Sequence, residues 1–99
     1  MVLGKVVGTV VSDSKVAALE GVRFLLVEKL DAATMQGKKD YVVAMDSVGA
    51  GPGEIVFYVS GSSARLTPVT EGKPADATIT AIVDAVDVDG KSVYRKDTP

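Results

Sequence analysis

Along the chain, apolar residues alternate with other residues in short runs separated by glycine-rich or charged turns. Alternation with period two marks half-buried strands. The first run, Val2–Val11, carries Val2, Val6 and Val10 on one face and Leu3, Val7 and Val11 on the other. Gly4 and Gly8 interrupt it, as glycines do at a bulge, a bend or a close backbone approach. Ser12–Lys15 is turn-like. Val22–Leu30 forms the second run, with Val22, Phe24 and Leu26 opposite Leu25 and Val27. Asp31–Asp40 is polar, with Gly37-Lys38-Lys39-Asp40 as its turn. Tyr41–Asp46 is the third strand. A fourth, Glu54–Ser60, sets Ile55, Phe57 and Val59 on a clean apolar face, which places Phe57 in the core. Gly61–Leu66 suits a short helical turn with Ser62 as N-cap, limited by Pro68. Glu71–Asp76 is a link. Thr78–Val88 is the longest strand, with Ile79, Ala81, Val83 and Ala85 facing the core. Asp89-Gly90 is a hairpin signal that returns the chain through Ser92–Arg95.

Five or six short strands with one short helical turn predict an all-β fold, a small closed OB-like β-barrel of about five strands. Residues 1–95 make one domain and 96–99 a C-terminal tail. Several strands are apolar on both faces, although a small barrel buries only the inner one. The spare apolar positions, Val22 or Leu25 with Ile82, Val86 and Val88, need cover. Patches of that kind mark subunit contacts, so the pattern predicts a homo-oligomer.

Composition narrows the chemistry. The chain has 99 residues and five aromatics, so its core is built from Val, Leu, Ile and Ala. It has no Cys and no His, which removes thiol nucleophiles, the commonest general base and the usual transition-metal ligands. The formal net charge is −2 with no basic block beyond Lys38-Lys39, and this argues against phosphate-driven nucleic-acid binding. No run reaches the length of a membrane span and no leader is visible, so a cytoplasmic protein without membrane or nucleic-acid partners is expected.

The least generic stretch is Asp46-Ser47-Val48-Gly49-Ala50-Gly51-Pro52-Gly53-Glu54. Its backbone N–H groups could cradle an anion. No Lys-Ser/Thr pair follows, so it is not a P-loop, and the strand after it excludes a dinucleotide fingerprint. Gly51-Pro52-Gly53-Glu54 fits a type II turn. Asp46 and Glu54 are either an acid–base pair or the residues that fix the loop's ends. Ser62, Ser63 and Arg65 are either a phosphate or nucleophile site or a cap with an ion pair, whose carboxylate could come from a neighbouring subunit. Asp84, Asp87 and Asp89 lack the spacing of a calcium loop. Tyr41, Phe57 and Tyr58 could form a base-stacking platform on an OB face, which is the alternative function, a single-stranded nucleic-acid-binding module.

Asp46-x-Val48-Gly49-Ala50-Gly51-x-Gly53-Glu54, followed by Gly61-Ser62-Ser63-Ala64-Arg65, resembles the signature of bacterial microcompartment vertex proteins of the EutN/CcmL type. Met1–Val11 is similar to that family's first strand, and Pro74-Ala75-Asp76-Ala77-Thr78-Ile79-x-Ala81-Ile82-Val83-Asp84 to its final block. The resemblance implies a structural protein, not an enzyme, with no cofactor and no metal. It would form a homopentamer that caps the five-fold vertices of an icosahedral shell tiled by hexameric shell proteins, in a carboxysome or a metabolosome of the bacterial cytoplasm. On this reading Gly49, Ala50, Gly51, Pro52 and Gly53 lie at an axial pore or a subunit seam. Asp46, Glu54, Ser62, Ser63 and Arg65 anchor the loop or the interface, and Ile82, Val86 and Val88 bury against a neighbour.

Overall fold

The structure is a computed structural model that describes residues 1–11, 21–61 and 76–97. Among the described residues seven strands follow one another: β1 (Val2–Val10), β2 (Phe24–Leu30), β3 (Gly37–Asp46), β4 (Ile55–Ser60), β5 (Ala77–Ile82), β6 (Ala85–Val88) and β7 (Lys91–Arg95). The first five close a barrel in the order β1-β2-β3-β5-β4, and β6 and β7 form a separate two-stranded sheet. Every barrel pairing is antiparallel except β3 with β5, which run parallel at Met45–Thr78 and Asp46–Ile79. This is the five-stranded Greek-key order expected of an OB-like barrel.

The barrel is filled by Val6, Leu25, Val27, Ala44, Val56, Tyr58, Ala77 and Ile79, with Ala50 entering from the glycine loop. The first glycine of β1 has a steric cause. A Cβ on Gly4 would run into Val27 Cγ1 and lie 3.2 Å from Tyr58 Cε2, so the narrow barrel admits no side chain there. Between Val6 and Gly8 the β1–β2 register shifts by a bulge.

Three details differ from the sequence pattern. Phe57 lies outside the barrel, because Val56 and Tyr58 point inward. Phe57 and Ile55 join Leu3, Leu30 and Val83 in a second apolar cluster, which Val86 and Tyr94 cover from the β6–β7 hairpin. Both faces of β4 are apolar because both are covered. The polar connection after β2 is shorter than expected, and Gly37–Asp40 belongs to β3. Asp31 closes a compact turn instead: its Oδ1 accepts N–H groups from Ala33 and Thr34, and its carbonyl accepts from Met35. Those two side-chain bonds also hold the Asp31 carboxyl below its usual range. Finally, Thr78–Val88 is two strands. Val83 N donates to Ile55 O at 2.8 Å, and at Asp84 the chain leaves the barrel, so Ala85 ends up exposed rather than in the core. Asp89 and Gly90 then make the expected two-residue hairpin, both with positive φ (51° and 78°) as a type I′ turn requires.

Candidate functional site: the glycine loop and its anchors

Residues Ser47–Glu54 bridge the end of β3 and the start of β4 at one mouth of the barrel. Asp46 organises the first half. Its carboxylate is nearly buried, with 2% of the side chain exposed. Oδ1 accepts the N–H groups of Val48, Gly49 and Ala50 at 3.0–3.2 Å. Oδ2 pairs with the Arg23 guanidinium at 3.0 Å, and the same guanidinium donates to Ala50 O at 3.3 Å. One carboxylate thereby folds three successive peptide groups around itself and seats the Ala50 methyl in the barrel core, where it is 1% exposed. Ser47 Oγ ties the loop's first residue to Ile79 O on β5.

Glu54 organises the second half. Oε1 accepts from Gly51 N at 2.6 Å, and Glu54 N donates to Gly51 O at 3.2 Å. With Pro52 second and Gly53 third at φ 87°, this is the type II turn that the spacing predicts. The turn is zipped to β1: Val6 N donates to Glu54 O and Gly53 N to Val6 O. Glu54 Oε2 pairs with Lys96 Nζ at 3.0 Å, and Lys96 N donates to Asp84 O. The Lys96 ammonium, then the Gly51 N–H, hold the Glu54 carboxyl below its usual 4.5. Glu54 raises the Lys96 ammonium above its usual 10.5.

This geometry bears on the competing readings. The Asp46 lone pairs are taken up by its own loop and Arg23, and Glu54 is held more acidic, the opposite of what a general acid needs. A cleft of about 530 Å³ at the hairpin root is lined by Asp84, Ala85, Arg95, Lys96 and Asp97 and by neither carboxylate. A base-stacking platform fails on orientation: Tyr58 is inside the barrel, Phe57 is half-covered by the hairpin, and only Tyr41 is exposed. Of the three acids near the hairpin, Asp87 is paired with Arg95 at 3.1 Å. Among the described residues no group of three or more acids is placed to hold a metal ion.

The loop turns outward Val48, Gly49, Pro52 and Gly53, while the Ala50 side chain is spent inside its own chain. Ile82 packs against the barrel core, Val86 packs from the hairpin onto the outer cluster of its own chain, and Val88 is half-buried near the hairpin tip. Ser62, Ser63 and Arg65 fall outside the described residues. Sequence reasoning missed Arg23. It sits just before β2, and the β2–β3 pairing of Phe24 with Met45 brings it opposite Asp46, whose N–H donates to Arg23 O.

Comparison with known proteins places this architecture. The family described as ethanolamine utilisation protein EutN/carboxysome matches residues 1–84. The carboxysome shell vertex protein CcmL of Synechococcus elongatus is 47% identical over 96 residues, covering 97% of this chain and 96% of that one. The structure of Gloeobacter violaceus CcmL superposes with a TM-score of 0.93 at 43% identity, covering 99% and 100% of the two chains. GrpN of Rhodospirillum rubrum, solved as a pentameric microcompartment shell protein, gives 0.77 at 43% identity over 89% and 98%. With the same barrel, nearly the same length and close to half its residues shared with these proteins, this chain belongs to the EutN/CcmL family of microcompartment shell vertex proteins.

Proposed function

We infer that this chain is a structural subunit of a bacterial microcompartment shell, located in the bacterial cytoplasm, and that it assembles as a homopentamer capping the five-fold vertices. The observation that carries this is the near full-length match, in sequence and in fold, to named shell vertex proteins, together with the pentameric GrpN relative. Flat sheets of six-fold tiles close into a shell only where five-fold units replace them, so hexameric shell proteins are the partners that the role requires. A ring of identical contacts closes when its rotation suits the symmetry. Five copies at a formal charge of −2 each carry about −10, which keeps free pentamers apart.

In this reading the chain does no catalysis and needs no cofactor, nucleic acid or membrane, and residues 1–95 act as one unit. Gly49–Gly53 lie at the axial pore or the adjoining seam, fixed by Asp46 and Glu54. Ile82, Val86 and Val88 bury against a neighbour, and Ser62, Ser63 and Arg65 serve the same interface. The test is to produce hexameric shell proteins with and without this chain and image the particles. Closed polyhedra that appear only with the chain support the reading. Closed polyhedra formed equally well without it overturn it.

A further inference from the structure

Among the apolar side chains that fill the barrel, Tyr58 carries a polar atom inward. The residue is 2% exposed, and its hydroxyl meets no hydrogen-bond partner among the described residues. A buried phenol ordinarily has one, since leaving the group unpaired costs its full desolvation. Phenylalanine fills the same space without that cost, so the hydroxyl needs a reason.

Strand register shows what the hydroxyl stands beside. Tyr58 is opposite Val2 in the β1–β4 pairing. Its ring lies against Gly4, whose missing side chain leaves the room: Tyr58 Cε2 is 3.2 Å from where a Gly4 Cβ would stand. Gly4 is paired in turn with Lys29 on β2. Side chains two apart on a strand share a face. Lys29 therefore continues the inward row of Leu25 and Val27, and Asp40 on β3 continues that of Val42 and Ala44. Both rows end in an ion pair, Lys29 Nζ to Asp40 Oδ2 at 3.1 Å, at the barrel mouth away from the glycine loop. The two side chains are 39% and 59% exposed, so solvent reaches the outer side of the pair. Both charges act on the phenol from there. Burial, the largest influence, pushes the Tyr58 hydroxyl above its usual 10.0, while the Lys29 ammonium pulls it down and the Asp40 carboxylate pushes it up.

The chemistry of these three groups narrows what fits between them. A phenol has a proton to give, the carboxylate only accepts and the ammonium only donates. An apolar group leaves the hydroxyl stranded, an anion meets Asp40 and a cation meets Lys29. Water both donates and accepts, and a buried water typically makes about three hydrogen bonds to groups of this kind. We propose that this barrel mouth holds one structural water that joins the core to the ion pair: it accepts the Tyr58 O–H and a Lys29 N–H, and it donates to the Asp40 carboxylate. Lys29 and Asp40 are then positioning residues for the water, a role beyond the small contribution of an exposed ion pair.

The test is a double-mutant cycle of Tyr58→Phe and Asp40→Ala, read as thermal midpoints at equal protein concentration, together with a crystal structure of the unaltered protein at a resolution that shows waters. Tyr58→Phe should lower the midpoint by about 4 °C or more, the shift expected for losing one net hydrogen bond in a domain of this size. In the Asp40→Ala background the same change should lower it by less than half as much, because the water has already lost its acceptor. The crystal structure should show a water within hydrogen-bond distance of the Tyr58 hydroxyl and of the Lys29–Asp40 pair. A Phe variant as stable as the unaltered chain or more so, or losses that simply add, overturns the proposal. So does a crystal structure in which the hydroxyl is bonded directly to a protein group, one from a neighbouring copy included, or has no water beside it. The crystal structure needs no variant, so the proposal stays testable if a variant fails to fold.

Discussion

At the residue scale the chain depends on a few groups with several partners each. Asp46 holds three backbone N–H groups and one guanidinium. Asp46→Ala removes the acceptor of those N–H groups, of which the Ala50 bond is buried and the other two part-buried, so urea unfolding should show a loss of about 1–3 kcal/mol, the range for stranding a buried donor. Arg23→Ala leaves the three N–H bonds in place. The Arg23 side chain is 54% exposed, and a solvent-screened pair of this kind contributes within about 1 kcal/mol. Equal losses in the two variants would contradict this division between the loop's N–H bonds and the ion pair. The loop glycines separate in the same way. Gly53 sits at φ 87°, where a side chain is strained, so Gly53→Ala should cost about 1–2 kcal/mol in the monomer itself. A Cβ on Gly51 meets only Glu54 Oε1, at an ordinary 3.5 Å. Gly51→Ala should therefore leave monomer stability unchanged, and a loss of assembly in that variant reports crowding by a neighbour. Unchanged assembly would remove Gly51 from the seam. Asp46 and Glu54 were legible as anchors because carboxylates flanking a glycine loop have donors to satisfy. Arg23 was not, because only strand pairing reveals what stands opposite a residue at a strand's start.

At the element scale, Glu54 clamps the glycine loop to the root of the hairpin. Its folded carboxyl is more acidic than usual, so the clamp's contribution is present above about pH 4.5 and is lost as pH falls through the lowered folded value. The raised Lys96 ammonium gives the opposite limit. Its contribution is complete below about pH 10.5 and is lost as pH rises past the folded value. Between those limits the clamp does not titrate. Hydrogen exchange at Ala85–Arg95 should thus be protected across neutral pH and become faster at acid pH beyond the intrinsic change in rate. Glu54→Gln should give the fast exchange already at neutral pH. Protection that is the same in the two proteins would show that the hairpin root is held by something else. The hairpin turn was readable from Asp89-Gly90, whose chemistry is local. The break before it was not. Ile79, Ala81, Val83 and Ala85 alternate without interruption, while the pairing with β4 has its last backbone bond at Val83 N to Ile55 O, next to the start of β4. The same limit explains Phe57. Alternation gives two faces to β4 but does not say which one faces the barrel when both are apolar, and the hairpin that covers the outer face is distant in sequence.

At the scale of the whole molecule, the two-faced strands resolve, among the described residues, into three apolar clusters: a barrel interior around Val6, Leu25, Val56 and Ile79, an outer cluster beneath the hairpin, and a smaller one of Val22 and Met45 with Phe24 and Val59 against it. The barrel was legible because strand count, turn spacing and β-branched composition agree with one another. Val7, Tyr41, Val43, Val48 and Val93 remain uncovered in the single chain, and a contiguous apolar patch among them is what a ring contact would cover. The central claim is that the chain is a ring-forming vertex subunit, and native mass spectrometry of the unaltered protein at neutral pH tests it most directly. A single dominant species at five times the 10.2 kDa chain mass is the predicted result, and a monomer or dimer persisting at concentrations far above those of the measurement would contradict it.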